Sequence, residues 1–209
     1  MTHYEICAED SLGRLLQDAI WYGDSQHFQA LELAGPAAVE EFRAFLSGAR
    51  NFSIPRRGAA IDHIVAVSCH LGSTLPEAYL AAFNSTQWIT SGPALEGLGC
   101  THRAEARPVL SEALFSTAPG ATRLRAAAAL GAIPGAASID ILLRALQDPD
   151  YLVQCQAIES LGLIGDRTVV DHLVPLKRSV NRAVADAATK AVDGIAERLR
   201  PPADLESQP

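Results

Sequence analysis

The chain has 209 residues, 48% of them hydrophobic and 20% charged, a balance that supports a buried core and excludes a disordered polar chain. Its 24 acidic against 17 basic residues give a formal net charge of −7, which works against nonspecific attraction to nucleic-acid phosphates and anionic membranes and favours a basic partner. Charges, Gly and Pro interrupt every apolar run well short of the roughly 18 residues needed to span a bilayer.

The first ten residues carry neither a basic flank nor an apolar run, so they do not read as a secretory signal, and a cytoplasmic location is the simplest expectation. Cys7, Cys69, Cys100 and Cys155 lack CxxC spacing and read as reduced thiols rather than a disulfide framework. Residues 12–21, 26–33 and 37–46 each repeat apolar positions at helical spacing. They do not match the period that follows, so residues 1–59 are expected to form an atypical helical cap, as the ends of stacked repeats require. Residues 48–58 are the best candidate for a connecting loop.

From about residue 60 the chain repeats. Leu161-Gly162 falls 31 residues after Leu130-Gly131, and Val184 falls 31 after Val153, with Asp193 in place of the glycine. Leu98-Gly99 lies 32 residues before Leu130-Gly131, and Leu71-Gly72 lies 93 residues, three periods, before Ile164-Gly165. Units therefore begin near residues 60, 90, 122, 153 and 184 and run to 199. Each pairs an Ala-rich first helix, closing near Leu-Gly, with a second helix over 104–115, 138–147 or 168–178. Ile139, Leu142, Leu143 and Leu146 give the second helix one buried stripe. Asp148-Pro149-Asp150 ends one helix and caps the next, because Pro forbids continuation and Asp accepts from free amides. Gly97-Leu98-Gly99 is a helix end by the repeat, and its glycines read as C-terminal helix caps. Residues 200–209 are polar and Pro-rich and are expected to be disordered.

The segment from Leu146 through Asp148-Pro149-Asp150 to Leu161-Gly162 and Gly165-Asp166 resembles the short HEAT-like repeat of the phycobilisome-lyase type. Arg107-Pro108-Val109-Leu110 is similar to the opening of that family's second helix, whereas Ile139-Asp140 and Val170-Asp171 carry Asp where the family has Pro. The resemblance covers roughly residues 60–199. It implies an all-α, right-handed α-solenoid of HEAT-like helical hairpins and is nearly silent on function, since such repeats serve as scaffolds, regulators, lyase subunits and occasional enzymes.

Signs of chemistry are sparse. Cys69-His70 and Cys100-Thr101-His102 fall at similar places in adjacent repeats, but equivalent positions on stacked helices lie about 8–10 Å apart, too far to share a zinc ion. No metal and no cofactor is expected. The paired His-Glu dipeptides of di-iron HEAT enzymes do not occur, and neither a nucleophile elbow nor a glycine-rich phosphate loop stands out. A DNA-glycosylase-like role would call for a basic, aromatic-rich surface, which this composition does not provide. Trp21, Tyr22 and Trp88 read as core residues rather than binding platforms.

What remains is a ladder on the second helices. Asp140 and Asp171 share one repeat position, while Gln147 and Arg178 share another with Asn84 and Phe115. With Arg144, the residues Asp140, Gln147, Asp171 and Arg178 are the candidate binding surface. A preference of Asp for the first helical turn is the competing explanation of the two acids. The chain thus reads as a non-enzymatic scaffold for a protein or peptide partner, with no nucleic acid and no membrane. A chromophore-lyase-like subunit acting on a bound cofactor is the alternative that the resemblance implies.

Overall fold

A computed structural model describes residues 9–49 and 59–200. Among them every regular element is helical, and the chain is an all-α solenoid of helical hairpins. It divides into two compact units, residues 1–113 and 114–209. Residues 50–58, within the loop read from the sequence, and residues 201–209 of the expected tail lie outside the described residues.

In the first unit α1 (Glu9–Tyr22), α2 (Ser25–Ala34) and α3 (Pro36–Leu46) occupy the segments read as amphipathic. Gly23 stops α1 with φ 62°, a left-handed conformation glycine adopts without a Cβ penalty, and Asp24 then caps α2 by accepting from the His27 amide. The next helices are α4 (Ala59–Thr74), α5 (Pro76–Phe83), α6 (Gly92–Cys100) and α7 (Arg107–Phe115), of which Leu114 and Phe115 belong to the second unit. Helices α1 and α2 pack on α4, and α3 packs on α5, burying Leu16, Ile20, Leu31 and Phe42 completely. The core here is aromatic. Phe83 stacks on Tyr79 at 4.5 Å and meets Phe42 and Trp88 edge-on at 6.0 and 4.9 Å, arrangements that suit the ring quadrupoles.

The second unit contains α8 (Gly120–Gly131), α9 (Ala136–Ala145), α10 (Tyr151–Ile164), α11 (Arg167–Leu173) with a 3₁₀ turn over Val174–Arg178, and α12 (Arg182–Arg198). First helices stack in sequence, α8 on α10 and α10 on α12, while the second helices α9 and α11 touch. Its core is aliphatic and Ala-rich, with Leu130, Leu142, Ala157, Ile158, Leu161, Val169, Leu173 and Ile195 fully buried. Of the second-helix stripe, Leu142 and Leu146 are buried and Ile139 and Leu143 half-buried.

Gly97 and Gly99 differ from their reading as caps, and the glycines of the other Leu-Gly pairs behave like them. Gly72, Gly97, Gly99, Gly131 and Gly162 all lie within helices, and the left-handed glycines are Gly23, Gly35, Gly48 and Gly135. Their role is close approach. A Cβ on Gly131 would stand 2.7 Å from the Ser160 Cβ, and one on Gly162 would stand 3.0 Å from the Ala191 Cβ. In the first unit, a Cβ on Gly72 would collide with the Gly97 carbonyl oxygen. Gly72 therefore makes the contact that Gly131 and Gly162 make, which corrects the repeat register: Leu71-Gly72 corresponds to Leu130-Gly131 rather than to Ile164-Gly165.

Leu161 faces the α8–α10–α12 stack with no exposure, whereas Glu159, two positions earlier, is exposed. Leu161→Ala should cost roughly 2–5 kcal/mol in urea unfolding, because the neighbours cannot fully refill the cavity. Glu159→Ala should change stability by less than about 0.5 kcal/mol. Similar values for the two would refute the helix phase.

Candidate functional site

The five ladder residues all lie on exposed positions of the second unit. Asp140 is the fifth residue of α9 and Asp171 the fifth of α11, so both stand one turn beyond the helix start. The first turns of these helices hold no acid at all. A favourable term with the helix dipole falls off within the first turn and does not account for them. No hydrogen bond or ion pair of the Asp140, Gln147, Asp171 or Arg178 side chains occurs among the described residues. Arg144 is engaged: its guanidinium carbon sits 4.3 Å from the centre of the Phe115 ring, which is 42% exposed. That geometry is a cation–π contact, and it fixes an otherwise mobile cation on the surface. Arg178 ends the 3₁₀ turn after α11 and Phe115 ends α7, while Asn84 caps α5 and Gln147 lies in the turn just beyond the C-cap of α9.

A partly buried ion pair behind this surface escaped the sequence reading. Arg123 donates to both Asp148 oxygens at 2.9 Å and to the Ala118 carbonyl at 2.6 Å. Asp148 also accepts from the Asp150 amide at 2.8 Å, and Gln154 donates to the Asp148 carbonyl at 2.7 Å. Asp150 in turn caps α10 through the Leu152 amide. The turn next to Gln147 is thus tied to both α8 and α10. Arg123 and Gln154 stand 31 residues apart and reach the same aspartate from consecutive first helices, a periodic signal that could have revealed the network. Arg198 plays a comparable part on α12, donating to the Gly162 and Gly165 carbonyls at the end of α10.

The histidines and cysteines do not assemble a metal site: among the described residues no three His, Cys, Asp or Glu side chains come together to hold an ion. His70 stacks on Phe28 at 5.2 Å, with its Nε2 3.9 Å from Glu32, and His63 bonds the Ile20 carbonyl at the end of α1. Cys69 on α4 and Cys100 on α6 are half-buried free thiols, and the neighbouring Cys100 together with burial pushes the Cys69 thiol above its ordinary value. Trp88 is a core residue at 6% exposure, but Trp21 and Tyr22 are 40% and 66% exposed, against expectation. Tyr22 stacks on the His27 ring, so the apolar face of α1 is spent on Leu16, Ala19 and Ile20 instead.

A protein family described as HEAT repeats matches residues 77–151 and 107–193, together more than half of the chain. The crystal structure of an engineered protein is similar over 90% of both chains, with a TM-score of 0.52 and 20% identity, which bears on the fold alone. No curated protein matches. No described helix is long and apolar enough to cross a membrane.

Although partial burial pushes the Asp148 carboxyl up, the Arg123 guanidinium and the Asp150 amide hold it below the ordinary carboxylate value. A depressed folded-state value makes this contribution complete above the unfolded pKa of about 3.9 and lost as pH falls through the lower, folded one. Asp148→Asn should destabilise the protein at pH 7 by about 3 kcal/mol, because Arg123 is left in a partly buried site without its counter-charge. Measured as a difference between the two proteins, that loss should shrink as pH falls below about 4. A difference that stayed constant to pH 2 would contradict the assigned network.

Proposed function

Because the chain belongs to the HEAT-repeat family, we propose that it is a non-enzymatic scaffold that binds a protein or peptide through the second-helix face of its second unit. The observation that carries this reading is the repetition of unpaired, exposed acids one turn inside α9 and α11, where neither packing nor the helix dipole gives a reason for them. Exposed groups spaced by the structural repeat form strips that an extended ligand can read at regular intervals. Asp140 and Asp171 suit basic side chains of the partner, Arg178 an acidic one, and Arg144 on Phe115 a flat, amphipathic contact. The net charge of −7 adds weak long-range attraction for a basic partner. The finer likeness to phycobilisome-lyase-type repeats rests on the sequence around residues 146–166, and a chromophore-lyase-like role is the competing reading it supports. The fold leaves either open, since function in repeat proteins resides in surfaces rather than in the repeat.

The test is capture of partners from the native host with the wild-type chain and with Asp140, Arg144 and Asp171 replaced together by Ala. The triple variant should fold normally by circular dichroism and bind the captured partner at least about tenfold more weakly, a loss of some 1.4 kcal/mol or more. Unchanged binding would sink this surface. An absorption shift on adding a bilin would instead support the lyase-like reading.

A further inference from the structure

The exposed aromatic pair of the first unit takes no part in the ladder. Trp21 and Tyr22 close the last turn of α1, whose core face is already filled by Leu16, Ala19 and Ile20. The Tyr22 ring stacks on His27 with the planes 20° apart, and the residue is otherwise open to solvent. Polar contacts hold this corner still. The His27 ring donates to Asp24 through Nδ1 at 2.6 Å, and the His27 amide donates to the same carboxylate at 3.1 Å. Beneath the turn, His63 of α4 donates to the Ile20 carbonyl at 2.9 Å and packs so close that a Cβ on Gly23 would stand 2.7 Å from its ring. Carboxylates flank the exposed ring. Asp18 stands one turn before Tyr22 on the same side of α1, half-buried and without an ion pair among the described residues. Asp24 is half-exposed, and hydrogen bonds from the His27 amide and ring hold its carboxyl below the ordinary range, so it is ionised at neutral pH. Residues 9–34 carry five acids, Glu9, Asp10, Asp18, Asp24 and Glu32, against one base, Arg14.

We propose that Trp21 and Tyr22, with Asp18 and Asp24 beside them, form a second docking site that receives an arginine side chain of a protein partner. The charge pattern selects the occupant. The face of an aromatic ring attracts a cation, and the acids around it add to that attraction, whereas an apolar or acidic side chain would leave them unpaired or be repelled. Arginine suits the site better than lysine, because its planar guanidinium lies flat on a ring while its N–H donors fork to carboxylates at the ring edge. Trp21, the next residue, offers a large half-exposed surface to the apolar neighbour of that arginine. An anionic membrane is the other surface that exposed Trp and Tyr serve, and the five-to-one excess of acids works against it. The turn is fixed by Asp24, His27 and His63 before any partner arrives, so binding orders few side chains and loses little entropy.

The experiment titrates the full-length, nitrogen-15-labelled protein with a blocked peptide of glycine, leucine, arginine and glycine, and with the same peptide carrying citrulline, which keeps the shape of arginine without its charge. Trp21 and Trp88 are the only tryptophans, one half-exposed and one buried, so their indole N–H signals report the site and the core separately. The arginine peptide should move the Trp21 signal and leave that of Trp88 in place. It should bind about fivefold more tightly than the citrulline peptide, the size of an exposed cation–π contact joined to surface ion pairs. Asp18→Asn and Asp24→Asn, the second of which keeps a good N-cap, should each weaken the arginine peptide about twofold. Tyr22→Leu should remove most of the preference for arginine over citrulline. The comparison of the two peptides on the wild-type protein decides the matter even where a variant fails to fold. A Trp21 signal unmoved up to about 10 mM peptide, equal affinity for the two peptides, or shifts confined to α9 and α11 would overturn the proposal. Because this site lies in the first unit and the ladder in the second, its failure leaves the binding proposal standing, and the reverse.

Discussion

At Gly131 and Gly162 the first helix of one repeat lies so near the next that a single added methyl group has no room, and Gly72 meets the carbonyl of Gly97 in the same way. Helices of ordinary side chains pack with axes about 8–10 Å apart, and going closer requires one partner to give up its side chain. The opposing residue must be small as well. Gly97 on α6, Ser160 on α10 and Ala191 on α12 occupy that place, and Ser160 satisfies its buried hydroxyl by donating to the Ala127 carbonyl on the facing helix. The Ala-rich composition of α8 and α12 suits this spacing, because a tight seam favours small side chains.

With the first helices committed to one another, the second helices bury only a narrow stripe and leave the remaining positions to solvent. Leu142 of α9 and Val169 and Leu173 of α11 are inward, while Asp140, Arg144 and Asp171 point out. Binding residues can change on such a face without disturbing the stack, which is how one repeat serves many partners. The turns between repeats are fixed independently of that face. Arg123 holds Asp148, Asp150 caps α10, and Arg198 satisfies the carbonyls at its end. Gln147 and the start of α10 are thereby set by polar contacts whose partners lie on neighbouring first helices.

The repeat was legible because its signals are local: a 31-residue spacing, an Asp-Pro-Asp turn and a 3.6-residue apolar period each survive in one sequence. What the glycines do was not legible. A glycine near a helix end looks the same whether it adopts a left-handed cap or admits a neighbouring backbone, and only the partner at Ser160 or Ala191 tells the two apart. The same blindness to partners hid the Arg123–Asp148 pair, whose members stand 25 positions apart. Trp21 and Tyr22 were misjudged because hydrophobic character was weighed without the helix phase, which gives the buried face of α1 to Leu16, Ala19 and Ile20. In the ladder, the positions of Asp140 and Asp171 were readable from the period, and their placement beyond the first turn needed the helix boundaries.

The claim that close approach at small residues sets the stack is tested most directly by two glycine-to-alanine changes in the second unit, Gly131→Ala and Gly194→Ala, compared by urea unfolding. Both glycines lie in helices, but a Cβ on Gly194 meets nothing within 4 Å, whereas one on Gly131 meets Ser160 at 2.6 Å. Helix propensity alone favours Ala at either site by up to about 1 kcal/mol. The account predicts opposite signs: Gly194→Ala stabilises by up to that amount, and Gly131→Ala destabilises by about 1–3 kcal/mol through overpacking. Stabilisation by both substitutions would contradict it.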